Sequence, residues 1–243
     1  MDKSYIKDLY NQFAGEYHQK RKSSSKSFYN EFIEVPAISG LVKDIVSGKK
    51  VLDLGCGTGI FTKMIHSWGA NVTGVDISEE MIKIAKIENP EIYFVTSDAE
   101  HTNFSDEEFD VVSSSLMIHY LDNLSTLFKE VNRILKQKGY FIFSFHHPSN
   151  EVIEKMKIND ETKNIFNDYF SLKDYRWKMM GIEFISYHHT FEDISIYLSE
   201  SGFLIEKILE PKPIKDGKEF DAKEFEFTSR TPTFCVIKAI KFK

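Results

Sequence analysis

The chain has 243 residues, 42% of them hydrophobic and 28% charged, with a formal net charge of −6. This is enough for one sizeable globular α/β domain, and the acidic balance argues against a general nucleic-acid binder. The chain has no run of ~18 apolar residues that would suggest a membrane span and no apolar signal core after Met1, and its two cysteines, Cys56 and Cys235, suggest neither a disulfide framework nor a zinc site, so a cytoplasmic location is expected.

Tyr5, Ile6, Leu9, Tyr10, Phe13 and Tyr17 recur at helical spacing and predict a helix over 4–19. The basic cluster Lys20-Arg21-Lys22 with Lys26 reads as a solvated helix end or loop. Residues 23–27 are a turn. A second helix is expected from about Phe28 to Val46, kinked near Pro36 and ended by Ser47-Gly48. Strand–helix alternation then begins. Strands are predicted at 50–54, 71–76, 92–95, 109–114 and 140–145, with helices at 60–68, 78–88 and 124–135. This order implies right-handed crossovers and a mostly parallel sheet. Residues 146–190 break the rhythm, being rich in aromatic and charged residues without a clear period. A helix at 191–201, a strand at 203–209, a polar loop over 210–230 and a strand at 233–241 complete the chain.

The most informative stretch is Val51-Leu52-Asp53-Leu54-Gly55-Cys56-Gly57-Thr58-Gly59. An apolar run ends in a carboxylate, glycine follows at every second position, and a helix-compatible segment starts at Ile60. This is the strand–turn–helix that opens a nucleotide-binding α/β unit. Glycine lacks Cβ, so the loop backbone can take positive φ and a ligand can lie against it. In the dinucleotide fingerprint the third glycine comes one residue later and a pyrophosphate sits at the helix N-terminus; here Ile60 takes that place. Asp76 closes Val72-Thr73-Gly74-Val75-Asp76, where a carboxylate can accept from both hydroxyls of a ribose.

The whole string, with Asp53 two residues ahead of Gly55, resembles motif I of the class I S-adenosylmethionine (SAM) methyltransferases. The resemblance runs from about residue 10 to 145 and again over 191–240. It implies a Rossmann-like α/β fold: a seven-stranded, mostly parallel sheet with one antiparallel strand and helices on both faces. It also implies SAM as cofactor. Asp53 and the backbone of Gly55, Cys56, Gly57 and Gly59 would hold the methionine moiety and Asp76 the ribose. Ile77 or Met81 would pack on adenine, Asp98 and Ala99 would read its amino edge, and Tyr17 would touch the cofactor from the opening helix. Residues 109–121 resemble motif IV, which puts Ser115 and Leu116 at the cofactor. The motif is not the Asn/Asp-Pro-Pro-Tyr/Phe pattern of enzymes that methylate base amines. With the acidic charge, and with a likeness to the ubiquinone/menaquinone-type enzymes, this points to a small-molecule acceptor. One domain is expected over 1–243: a helical cap to residue 47, a SAM-binding core over 48–145, a substrate lid over 146–190, and the rest of the sheet over 191–243.

His119 matches a histidine common at its place in that family. His146-His147 ends the fifth strand and His188-His189 precedes the helix at 191. Strand ends face the ligand crevice, and neighbours on extended chain point to opposite sides, so at most one of each pair faces inward. His119, His147 and His188 are the candidate catalytic bases, since imidazole titrates near neutrality. Trp177 and Tyr187 are candidate pocket walls. The chain shows no clean metal-ligand spacing, and no metal is expected. Two other functions fit the same fold: an NAD(P)-dependent oxidoreductase and a non-catalytic SAM-binding protein. The acceptor and the oligomeric state are left open.

Overall fold

The computed structural model of the chain describes residues 3–22, 27–158 and 161–243, with backbone alone over 154–166. Helix α1 (Lys3–Lys22) is followed by a π-helical turn (Asn30–Glu34) and helix α2 (Val35–Val42). The core then alternates β1 (Lys50–Leu54), α3 (Ile60–Ser67), β2 (Asn71–Asp76), α4 (Glu79–Glu88), β3 (Tyr93–Thr96), β4 (Phe109–Ser114), α5 (Leu124–Ile134) and β5 (Leu135–His146). The short helix α6 (Pro148–Glu151) leads into two hairpins, β6 (Ile153–Ile158) with β7 (Glu161–Phe166) and β8 (Asp174–Met179) with β9 (Ile182–Tyr187). Helix α7 (Phe191–Glu200), β10 (Phe203–Leu209), α8 (Gly217–Phe220), α9 (Ala222–Thr228) and β11 (Phe234–Lys241) finish the chain.

Seven of these strands form one sheet in the order β10-β11-β5-β4-β1-β2-β3. β1 to β5 run parallel, and β11 enters antiparallel between β5 and β10. The expected fold is therefore observed, with β1 flanked by β2 and β4 at the point where the strand order reverses. Ligands of such sheets lie off the carboxyl ends at this switch point. Helices cover both faces. Leu124, Leu127, Phe128, Val131 and Ile134 form the buried stripe of α5, each fully covered. Burying each contributes about 1.5–3 kcal/mol. On the other face Ile38 and Val42 of α2, Phe61 and Ile65 of α3, and Ile82 of α4 pack over Val51, Val72 and Phe94.

The expected kink near Pro36 takes a definite form. Proline has no N–H, and its ring crowds the carbonyl four residues back. The wider π turn just before Pro36 relieves that crowding, and the freed Phe32 carbonyl accepts the amide of Ile214 at 2.8 Å. Three expectations are corrected. β5 begins at Leu135, because a register shift with Lys138 at φ 61° lets residues before Gly139 pair with β4. The polar loop 210–230 holds α8 and α9, the second capped by Asp221 accepting from Lys223 and Glu224 amides. Residues 146–190 contain the two hairpins.

Gly74 marks a tight point of the core: a Cβ there would sit 2.4 Å from the Phe94 ring and 3.0 Å from Cys56 Sγ. Gly74→Ala is expected to cost ~1–3 kcal/mol through overpacking. Thermal denaturation should show a midpoint lower by roughly 2–10 °C.

Candidate active site

The carboxyl ends of β1, β2, β3, β4 and β5 converge on one cavity of about 690 Å³. After β1 the chain turns sharply, with Gly55 at φ 78°, Gly57 at 53° and Gly59 at 79°. The amides of Gly55 and Cys56 both donate to the Val75 carbonyl at 2.8 Å, tying the loop to the end of β2. Asp76 then grips the loop. Its Oδ2 accepts the Gly57 amide and its Oδ1 the Ser78 amide, both at 2.9 Å. Burial pushes its carboxyl above the usual range, although these backbone donors pull the other way.

Most of the expected cofactor residues meet at this cavity: Tyr17, Gly55, Gly57, Asp76, Ile77, Met81, Asp98, Ala99, Ser115 and Leu116 all line it. Gly57 presents bare backbone, since a Cβ there would meet nothing within 4 Å. Three others lie behind the wall. Asp53 is 1% exposed, and its Oδ2 accepts the Thr62 hydroxyl at 2.6 Å. Desolvation raises its carboxyl to about 7. Cys56 is buried against Gly74, with its thiol pushed up by burial. Gly59 closes on Phe94 and Asn89, and its amide is taken by the Cys56 carbonyl at 3.0 Å. None of these three is among the residues that line the cavity.

Helix α1 covers the opening. Along one face Lys3 pairs with Asp98 at 2.7 Å and with Glu100, Lys7 pairs with Glu79, and Asn11 Oδ1 accepts the Ser78 hydroxyl at 2.7 Å. Lys3 thus occupies one oxygen of Asp98, and the Glu100 amide takes the other. The next turns carry Tyr10, whose hydroxyl meets that of Tyr120 at 2.6 Å, and Tyr17, whose hydroxyl accepts from Arg21 Nη1 at 3.0 Å. Arg21 corrects the reading of its basic cluster as solvated: its side chain is 11% exposed, lines the cavity, and leaves Nε without a partner among the described residues. Lys26 lies outside the described residues. Sequence reasoning missed Arg21 because clustered charge reads as surface; its place four residues after Tyr17, one helical turn on, is the available signal.

The histidines divide by strand alternation. His119, 2% exposed, lines the cavity, and neither ring nitrogen has a hydrogen-bond partner among the described residues. Desolvation holds its pKa well below the usual value. His146 stacks on it at 4.0 Å and 14°, lines the same cavity, and is lowered by burial to about 4. His147 is the outward member of its pair. Its Nδ1 accepts the Ser149 amide, capping α6, and its Nε2 meets Glu210 at 2.7 Å, so it is placed off the cavity. His188 also lies behind the wall, with Nδ1 bonded to Glu151, and His189 Nε2 donates to the Leu121 carbonyl. Trp177 lines the cavity, and Tyr187 is not among its walls. Glu151 and Tyr175 do line it and were not anticipated.

The wall tells which nucleotide fits. A dinucleotide loop seats a pyrophosphate at the N-terminus of the helix that follows; here Gly59 at that end packs so closely on Phe94 and Asn89 that no side chain would fit. A phosphate-free adenosine with an amino acid end meets matching groups: Asp76 for ribose, Ile77 and Met81 for a flat base, bare Gly57 backbone, and the Tyr17–Arg21 pair for a carboxylate. SAM fits this donor set.

A family model described as a methyltransferase domain matches residues 52–143. An uncharacterized protein of Haemophilus influenzae is 30% identical over 242 residues, covering 93% of each chain. The crystal structure of an S-adenosylmethionine-dependent methyltransferase from Mesorhizobium loti is similar with a TM-score of 0.74 and 27% identity, over 86% of this chain and 97% of that one. A phthiotriol/phenolphthiotriol dimycocerosates methyltransferase of Mycobacterium ulcerans is 36% identical over 115 residues, 45% of this chain and 42% of that protein. The chain thus matches less than half of that last relative. The methyltransferase-domain match and the likeness to SAM-dependent methyltransferase structures agree with this donor set: the chain is a SAM-dependent methyltransferase with the class I methyltransferase fold.

Proposed function

We propose that this enzyme methylates a small molecule held in the aromatic half of the cavity. The observation that carries the reading is His119, a buried imidazole whose two nitrogens have no partner among the described residues, on the wall that also bears Gly57 and Asp76. A buried polar group without partners costs about 1–3 kcal/mol, so a ligand that bonds it regains that energy. The volume, about 690 Å³, lies within the ~300–1,000 Å³ usual for small-molecule sites. Tyr10, Tyr120, Tyr175, Trp177 and Phe234 line this half, which suits a flat or apolar acceptor. The likeness of residues 109–121 to the ubiquinone/menaquinone-type enzymes supports the same class.

Bound SAM supplies a methyl group already activated by its sulfonium. The residues of the chain then have two tasks: to hold the acceptor atom in line, and to keep water out. Helix α1 and the β8–β9 hairpin close the cavity over both halves. Tyr17 and Arg21 hold the carboxylate of the methionine end. Arg21→Ala should therefore weaken SAM binding by roughly 10–150-fold, the loss of one charge-assisted contact of ~1.5–3 kcal/mol, read by calorimetric titration. The acceptor class is tested by incubating the enzyme and methyl-tritiated SAM with a cell extract, then separating low-molecular-weight, RNA and protein fractions. Label should appear in the low-molecular-weight fraction; label confined to RNA or protein would overturn the reading.

A further inference from the structure

One carboxyl behind the cavity ties two strands of the sheet to its wall. Glu34 ends the π turn and is fully covered, although a glutamate is rarely so unless its polar atoms are engaged. Its Oε1 accepts two hydroxyl hydrogen bonds. One comes from Ser115 Oγ, just beyond β4, at 2.8 Å, and the other from Ser144 Oγ, in β5, at 2.5 Å. Ser144 has a single hydroxyl proton, and it goes to Glu34. Its oxygen is left to accept, and it takes the Leu116 amide at 2.9 Å. This arrangement holds for either charge state of Glu34. The proton of a neutral carboxyl would sit on Oε2, which has no partner among the described residues, and Oε1 would still accept.

Leu116 is the residue this clamp constrains. It sits at φ 52°, in the left-handed region that a leucine keeps only where its surroundings over-determine it. Here the residue before it is pinned through Ser115 and its own amide through Ser144, both on the same oxygen of Glu34. The chain runs on to Met117, which presses on the first glycine of the β1–α3 loop: a Cβ on Gly55 would stand 2.6 Å from Met117 Cγ. Ser115, Leu116, Met117 and His119 all line the cavity. We infer that Glu34 is a positioning residue for the cofactor. Through the Ser115 and Ser144 hydroxyls it locks Leu116 into the backbone conformation in which the 115–119 loop meets SAM. The inference needs SAM as cofactor and assumes nothing about the acceptor.

The test uses the full chain with S-adenosylhomocysteine as probe, read by calorimetric titration and by amide hydrogen exchange. Glu34→Ala should weaken binding by about 10-fold, the loss expected when the hydrogen bonds that order one loop are removed. Its Leu116 amide should exchange faster while amides in the middle of β4 keep their protection, since the change is local. Glu34→Gln keeps an oxygen for both serines and should bring the affinity back to within about threefold of wild type. Ser144→Ala, a small deletion, removes the acceptor of the Leu116 amide and leaves Glu34 in place. It should show the same two changes, and it decides the matter alone if Glu34→Ala does not fold. Unchanged affinity in Ser144→Ala, or faster Leu116 exchange without loss of affinity, overturns the positioning role. An equal loss in Glu34→Gln and Glu34→Ala overturns these hydrogen bonds as its cause, and loss of protection throughout β4 would mark a merely structural residue.

Discussion

Asp76→Ala is expected to weaken SAM binding by roughly 100-fold or more, since two ribose hydroxyls lose a charged acceptor and each such bond contributes ~1.5–3 kcal/mol. The effect has a second source. Asp76 also receives the amides of Gly57 and Ser78, so alanine loosens the loop on which the methionine end rests. The free protein should lose far less. Its Asp76 carboxyl is raised by desolvation, meaning the unliganded fold already bears the burden of a buried charge, and removing that charge offsets part of the lost bonding. Calorimetry with SAM and thermal melts without it separate these effects. A large loss of affinity with a small change in unliganded midpoint is the expected pattern. Unchanged affinity would remove Asp76 from the site.

Asp53 should govern the stability of the fold between about pH 4 and pH 7. Desolvation lifts its folded carboxyl from the ordinary value of 3.8 to about 7. The folded chain therefore binds more protons than the unfolded chain across that interval, and stability falls as pH rises through it. The contribution is fully present below the unfolded value and lost above about 7. At ~1.4 kcal/mol per unit, the interval corresponds to a loss on the order of 4 kcal/mol. Asp53→Asn keeps an acceptor for the Thr62 hydroxyl and cannot ionise, so the difference between wild-type and variant stability should grow steadily from pH 4 to pH 7 and then level off. Taking the difference matters because His146, lowered by burial, acts with the opposite sign in part of the range. Urea unfolding at several pH values measures it, and a difference independent of pH would contradict the assigned burial.

Much of this protein could be read from its residues because glycine and carboxylate positions encode backbone geometry directly. Gly55 and Gly57 reach the ligand wall because the turn needs positive φ there, and Asp76 because β2 ends at the switch point. Asp53 shows the limit of such reading. A carboxylate beside a glycine loop can face the ligand or the following helix, and here the Thr62 hydroxyl, reached only after α3 packs, holds it inward. The histidine pair at the end of β5 is similar. Alternation requires that one face the cavity, yet which one depends on the strand reaching His146 before α6 begins at Pro148. The β8–β9 hairpin did carry a signal. Tyr175, Trp177 and Met179 alternate with charged residues, and Met180-Gly181 forms a two-residue turn with φ of 56° and 77°, the combination a type I′ hairpin requires. The alternation was masked because charged and aromatic residues share the segment. The Tyr175–His146 hydrogen bond had no local signature, since it joins two separate elements.

The central claim is that cofactor and acceptor share one cavity, with Asp76 at one end and the His119–His146 stack at the other. The crystal structure of the chain with S-adenosylhomocysteine tests it most directly. The account predicts adenosine between Asp76 and Met81, the carboxylate at Tyr17 and Arg21, and the sulfur facing the His119–His146 side. Ligand bound elsewhere, or sulfur turned away from those two rings, would contradict it.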